Sequence, residues 1–193
     1  MSAQLNTTNE AEGLPRRRFT VQEVEWMSHI GLLGREERIE LIGGEIVPMS
    51  PKGSFHERMK SALTIYWAQR LPPGLVFVTE TTFRLAPDTY LEPDIIFYPE
   101  SVGWNGLASG TAQLVVEIAD TSLAYDQGLK ARLYAGFGIV ELWVVNAVTR
   151  ETRIHRDPAP SGYRDVQDRD GGVRLVPVRA PDLAVTLSEL TLH

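Results

Sequence analysis

An α/β (α+β) fold built on a mixed β-sheet is the class this sequence predicts, and three observations predict it. Helical and strand periods follow one another as helix, hairpin, helix, strands, helix, strands, an order that suits helices packed on a sheet. Two runs, LVVEI at 114–118 and IVELWVVNA at 139–147, are almost continuously apolar, as strands covered on both faces are. The C-terminal part instead alternates apolar and polar residues between turns, the pattern of antiparallel strands with one wet face. With 193 residues and 43% hydrophobic content the chain can bury one full core, so a single domain over 15–193 is expected behind a flexible tail at 1–14, which lacks any apolar period.

The elements follow in order. Thr20 with Glu23 has the form of a capping box, and Val21, Val24, Met27 and Ile30 then keep helical spacing up to Gly31 and Gly34. ERIELIGGEIVPM alternates around Gly43-Gly44, which predicts a hairpin with a two-residue turn. A second capping box, Ser54 with Glu57, opens a helix whose Met59, Leu63, Tyr66 and Trp67 share one face and which stops before Pro72-Pro73. LVFVTETTFRL, YLEPDIIFYP and AQLVVEIAD read as three strands, rich in β-branched and apolar residues. YDQGLKARLYAGF, 125–137, spaces Leu129, Leu133 and Phe137 four apart before Gly138, predicting a helix with those residues inward. IVELWVVNA is the next strand; TRIHRD, GYRDVQD and VRLVPV suggest an antiparallel extension, and LSELTL a short closing segment.

The absence of cysteine removes disulfides and thiolate metal sites, leaving oxygen and imidazole ligands and so pointing to hard cations. No stretch approaches the roughly 18 uninterrupted apolar residues of a membrane helix. The polar opening MSAQLNTTNEAEG does not resemble a signal peptide, so a cytoplasmic protein without membrane contact is expected. A formal charge of -6 disfavours contact with phosphates, although Arg16, Arg17 and Arg18, and Lys130 with Arg132, concentrate positive charge locally. No G-x-S-x-G, P-loop, G-x-G-x-x-G or H-E-x-x-H motif is present, which removes the common serine-hydrolase, nucleotide-binding and zinc-protease classes.

Two carboxylates stand out. A charge inside an apolar strand costs several kcal/mol unless a cation or hydrogen-bond donors meet it, and Glu117 interrupts LVVEI while Asp94 precedes Ile95, Ile96 and Phe97. On neighbouring strands the two would meet, and such oxygens suit Mg2+ or Mn2+ completed by water and phosphate oxygens. Spacing alone leaves the other reading open, in which both acids end strands, cap helices or pair with arginine. Lys130 follows on the next helix, four residues after Asp126; it could reach back to the carboxylates and stabilise charge on a reacting phosphate, or form a surface ion pair with Asp126.

EPDIIFYP, then LVVEIADTSLAYDQGLKARLYAGFGIVELWVVN, with IELIGGEIVPMSPKGSFH upstream, resembles the Uma-two family of restriction-endonuclease-like proteins of the PD-(D/E)XK nuclease superfamily, over about residues 19–190. The resemblance implies a restriction-endonuclease-like fold, a mixed sheet flanked by helices. It also implies metal-dependent hydrolysis of DNA phosphodiester bonds. Pro93-Asp94 matches the PD element and Glu117 the second acid; Ala119 stands where the E-x-K lysine is expected, and Lys130 matches a lysine moved to the following helix. On this basis Asp94, Glu117 and Lys130 are the expected catalytic residues and Asp94 and Glu117 the metal ligands. Glu40 matches a recurrent family acid, with a hairpin surface charge as the alternative. His56 matches a recurrent histidine that could touch phosphate or shuttle a proton, or merely belong to a helix start. Asp120 alternates away from Glu117; Tyr125, Tyr134, Trp143 and Trp67 are placed like core residues. A magnesium-dependent endonuclease is the leading reading. A catalytically silent binding or assembly module with the nuclease fold, as a homodimer, favoured by Ala119 and the acidic charge, is the other; the need to cut or grip a duplex symmetrically also suggests a homodimer.

Overall fold

A computed structural model describes residues 13–34 and 37–192. In chain order its main elements are α1 (Val21–His29), β1 (Ile39–Ile42), β2 (Glu45–Pro48), α2 (Ser54–Ala68), β3 (Leu75–Thr79), β4 (Phe83–Ala86), β5 (Thr89–Leu91), β6 (Ile95–Pro99), β7 (Leu114–Ala119), α3 (Leu123–Tyr125), a π-helical turn (Asp126–Lys130), α4 (Ala131–Gly136), β8 (Glu141–Asn146), β9 (Thr152–Ala159), β10 (Gly162–Arg169), β11 (Arg174–Leu175) and β12 (Val185–Thr186). Among the described residues, those up to Ser50 together with Thr82–Glu92 form one compact unit, and Pro51–Thr81 with Pro93 onward form another. The expected tail at 1–14 lies, except for Gly13 and Leu14, outside the described residues.

In the first unit α1 begins at the predicted capping box: Thr20 Oγ1 accepts from the Glu23 N–H, and the Glu23 carboxylate accepts from the Thr20 N–H at 2.9 Å. Val21 and Val24 then bury against Ile39, Leu41 and Tyr90. Gly43 and Gly44 turn β1 into β2 with φ of +57° and +82°, the left-handed pair a tight hairpin needs. The strands order as β2-β1-β5-β4.

The second unit carries a six-stranded sheet in the order β10-β9-β8-β7-β6-β3. β7 and β8 run parallel and the other pairs antiparallel, so the predicted mixed sheet is present. The apolar runs form its centre, as their burial on both faces requires. Alternation sends Leu114, Val116 and Ile118 of β7, with Trp143 and Val145 of β8, to one face. There they pack with Met59, Leu63 and Trp67 of α2 and with Leu183, Val185 and Leu187 near the C-terminus.

Four expectations are corrected. LVFVTETTFRL and YLEPDIIFYP are each two strands: the first breaks where Glu80 adopts φ +50°, the second at Glu92-Pro93-Asp94, where proline lacks a ladder donor. Ser54 and Glu57 form no capping box, because Gly53 is the N-cap and supplies no side chain. A Cβ there would lie 2.1 Å from an Asp120 carboxylate oxygen, so the Asp120 side chain would have to shift to admit one. VRLVPV does not extend the main sheet; Arg174–Leu175 pairs instead with Val185–Thr186. Finally, the helix after β7 buries Asp126, Lys130, Ala131, Tyr134 and Ala135 and leaves Leu129 exposed, so the predicted Leu129, Leu133 and Phe137 face is not its inner one.

Candidate active site

Glu117 points to the sheet face opposite Leu114, Val116 and Ile118, by the strand period. Across that face runs the helix that follows β7. Its π turn is explicit: the Ala131 N–H reaches the Asp126 carbonyl, five residues back. Such turns insert one residue into an α-helix and often occur at functional sites. Asp126, Lys130 and Tyr134, spaced at four, form the inward stripe. Lys130 Nζ lies 2.8 Å from Glu117 Oε1 and 3.9 Å from Asp126 Oδ1, and the Tyr134 hydroxyl donates to Glu117 Oε1 at 2.6 Å. All four groups are buried, so the pairing of Lys130 with Asp126 is not a surface one. A buried carboxylate met by an ammonium and a hydroxyl satisfies the condition that its strand position imposes.

Asp94 stands just before β6. The β6–β7 register pairs Ile95 with Val116, which sets Asp94, one residue further out, level with Glu117. Its Oδ2 accepts from the Ile118 N–H at 2.8 Å; its Oδ1 accepts from Lys52 Nζ at 2.7 Å and meets His56 Nε2 at 3.0 Å. Burial works to raise the Asp94 pKa, but the hydrogen bonds and charges of His56 and Lys52 outweigh it and hold the carboxyl well below the ordinary aspartate range. Thus the ionised form is the one the site stabilises.

His56, in the first turn of α2, also places Nδ1 3.2 Å from a Glu57 oxygen. Lys60 lies 2.8 Å from Glu57 Oε2 and 2.9 Å from Glu80 Oε1, and Lys52 lies 2.5 Å from that same Glu80 oxygen. The contacts close a ring of alternating acidic and basic residues: Asp94, His56, Glu57, Lys60, Glu80, Lys52 and back to Asp94. Burial opposes the charge on Glu80, yet the bonds and charges of Lys52 and Lys60 bring its pKa down to about 2.

Of the residues singled out in the sequence, Asp94, Glu117, Lys130 and His56 therefore share one unit and one region of it. Glu40 does not sit on the hairpin surface: it is buried in β1 of the first unit, where its Oε1 accepts from the Glu92 N–H at 3.0 Å. Asp120 packs its carboxylate against Gly53 and accepts from the Thr121 N–H at 2.7 Å. Trp67 and Trp143 are fully buried core residues, as expected. Tyr134 is buried too, but its hydroxyl belongs to Glu117, a role that its position four residues after Lys130 could have indicated. Lys52 and Glu80 carried no such signal, since each meets its partner across tens of residues.

The donor chemistry suits a hard cation in part. Asp94 and Glu117 offer carboxylate oxygens at one level of the sheet, and Asp94 Oδ1 already holds a cationic ammonium. Among the described residues no three or more His, Asp or Glu side chains converge in a metal-binding group. A divalent ion held by the two acids would therefore complete its shell with water and substrate oxygens, as small divalent ions commonly do.

A family model described as "Uma2: Putative restriction endonuclease" matches residues 22–190. The chain belongs to this family. A solved structure with the same architecture, a "putative nuclease belonging to DUF820" from Anabaena variabilis, superposes with a TM-score of 0.60 at 20% identity, covering 89% of this chain and 96% of that one. At that identity the likeness carries the fold, a restriction-endonuclease-like mixed sheet flanked by helices. A comparison with curated proteins finds no match. Uma2 membership places the chain among nuclease-like proteins. Among the described residues no helix is long and apolar enough to cross a membrane.

Proposed function

We propose that this Uma2 protein is an endonuclease that hydrolyses DNA phosphodiester bonds with Mg2+ or Mn2+ held by Asp94 and Glu117. The observation that supports it most is Lys130: with Ala119 in the E-x-K position, an ammonium from the next helix still lies 2.8 Å from Glu117 Oε1. A divalent cation, when bound, would polarise a phosphoryl oxygen and acidify a bound water. The chain's own residues supply the rest. His56 and the Ile118 N–H orient Asp94, while Tyr134 and Lys130 fix Glu117. Lys130 also supplies positive charge where negative charge grows on the phosphate, in a buried setting where such charge counts for more than in water.

Purified protein incubated with supercoiled plasmid and Mg2+ or Mn2+ should nick it, and EDTA should stop the reaction. Asp94→Asn and Glu117→Gln should each slow nicking by about a hundredfold or more, the scale of losing a principal electrostatic group. Nicking that persists in both variants overturns the assignment. A folded wild type that nicks nothing under any of these conditions supports the silent binding module.

A further inference from the structure

We infer that β10 is a docking edge for a second copy of this chain, paired antiparallel about a two-fold axis at Val166, so that the two six-stranded sheets join. β10 ends the sheet order, with β9 on one side and, among the described residues, no strand on the other. A strand in that position presents a row of unpaired N–H and C=O groups to an extended chain that fits. Its residues, Gly162–Arg169, include no proline, so no donor is missing from the row. The opposite edge, β3, is LVFVT, without a charged side chain to select a partner or a register.

The sequence of β10 selects a copy of itself. From 164 to 169 it runs Arg, Asp, Val, Gln, Asp, Arg, nearly the same in both directions. An antiparallel copy centred between Val166 and Gln167 would set Arg164 against Arg169 and Asp165 against Asp168, like against like. The ladder forbids that centre. Successive residues turn their backbone N–H and C=O to alternate sides of a strand, so directly opposed residues of two such strands must be even with even or odd with odd. Centred on Val166, the register is allowed and the charges agree: Arg164 faces the partner's Asp168, Asp165 faces the partner's Gln167, and Val166 meets the partner's Val166. Val166 is 46% exposed in the single chain, and the axis covers it. The present partners of the charged pair do not stand in the way. Arg164 lies 3.2 Å from Asp157 and Arg153 2.7 Å from Asp168, both as exposed contacts, which contribute little, and a carboxylate has acceptor sites to spare for a second guanidinium. The axis crosses the sheet, so both copies keep the same face forward. Glu117, Val144, Arg153 and Asp168 lie in line on one face by the registers of β7 to β10, and the Glu117 side chains of both copies therefore point to the same side of the joined sheet.

The full chain has no cysteine, so single cysteines introduced into it report the register directly. Val166→Cys, oxidised at micromolar concentration, should give a disulfide-linked dimer on a non-reducing gel, because directly opposed residues lie within disulfide reach, whereas Gln167→Cys should not. No crosslink through Val166→Cys, or one as strong through Gln167→Cys, overturns the inference. Sedimentation equilibrium gives a second reading. The wild type should dimerise, and Arg164→Glu, an exposed substitution that turns both cross-copy pairs repulsive, should raise the dimer dissociation constant about tenfold or more. A wild type that stays monomeric up to millimolar concentration, or a dimer that Arg164→Glu leaves unchanged, again overturns it. None of these outcomes depends on whether the chain cuts DNA.

Discussion

Glu117 and Glu141 occupy equivalent places and differ in what surrounds them. Each interrupts an apolar central strand, and each is buried to within a few per cent. They face opposite sides of the sheet, since the β7–β8 register pairs Val116 with Trp143 and Glu117 with Val144. Glu141 is enclosed by fixed donors. The Trp143 indole N–H donates to Oε1 at 2.8 Å, Arg156 adds two bonds to the same oxygen at 3.0 and 2.7 Å, and the Val178 N–H donates to Oε2 at 2.7 Å. These partners tie the C-terminal segment to the sheet. Glu117 is instead met by Lys130 and Tyr134 from a helix with a π turn. A carboxylate in a buried strand thus marks a place that needs partners, and the kind of partner separates a structural clamp from a reactive group.

Exchanging the two acids' losses tests that distinction. Glu141→Ala should cost about 3–5 kcal/mol of folding stability, because Arg156, the indole and one backbone N–H all lose their acceptor. Glu117→Gln should cost under about 2 kcal/mol, since the amide still accepts a hydrogen bond and Lys130 retains Asp126, while nicking falls by the hundredfold expected above. Urea unfolding of both variants beside the plasmid assay reads the pair of effects. Equal stability losses would make Glu117 another clamp.

Glu141 also shows how far the sequence could be read. The reasoning that picks Glu117 out of LVVEI applies equally to Glu141 in IVELWVVNA; only the family resemblance separates them beforehand. The strands themselves were legible because covered strands read as apolar runs. The helix face was not, because the inward stripe of Asp126, Lys130 and Tyr134 has the same four-residue spacing as Leu129, Leu133 and Phe137. What turns the polar stripe inward is Glu117 on the strand it covers, which Lys130 and Tyr134 meet, and an apolar-period reading assigns charged residues to the outside. Glu80 was hidden for a different reason. Nothing local marks a glutamate that ends β3 in a left-handed conformation, and its link to Lys52 spans 28 residues, a separation that only the folded topology closes.

A smaller effect sharpens the comparison on the Glu117 side. Tyr134→Phe removes one donor and leaves the ring in place, so stability should fall by about 1 kcal/mol. If the hydroxyl aligns Glu117, nicking should slow by about tenfold through kcat, as when an orienting bond is lost. A change confined to KM would assign Tyr134 to substrate contact instead.

His155 supplies a third kind of buried polar group and the smallest expected effect. It lies on the sheet face of Glu117, since β8–β9 pairing sets Val144 opposite Arg153 and His155 follows two residues on. Its ring packs against Tyr163, with centroids 5.4 Å apart, and its Nε2 is buried with no hydrogen-bond partner among the described residues. Burial first, then the nearby Arg153 charge, lowers its pKa from 6.5 to about 4, against a weaker pull from Asp168. The neutral ring is therefore the form the fold accepts. Above pH 6.5 neither the folded nor the unfolded chain protonates it, and its contribution is constant. As pH falls from 6.5 towards 4 the unfolded chain takes up a proton that the folded chain refuses, so stability drops. His155→Leu removes that proton uptake. Melting temperatures of the variant and the wild type should run parallel above pH 6.5 and converge or cross below it, with the variant losing less. Parallel curves down to pH 4 would show that His155 is protonated as readily in the fold as out of it. A buried side chain that neither clamps a segment nor touches the candidate site would then be accommodated without electrostatic strain.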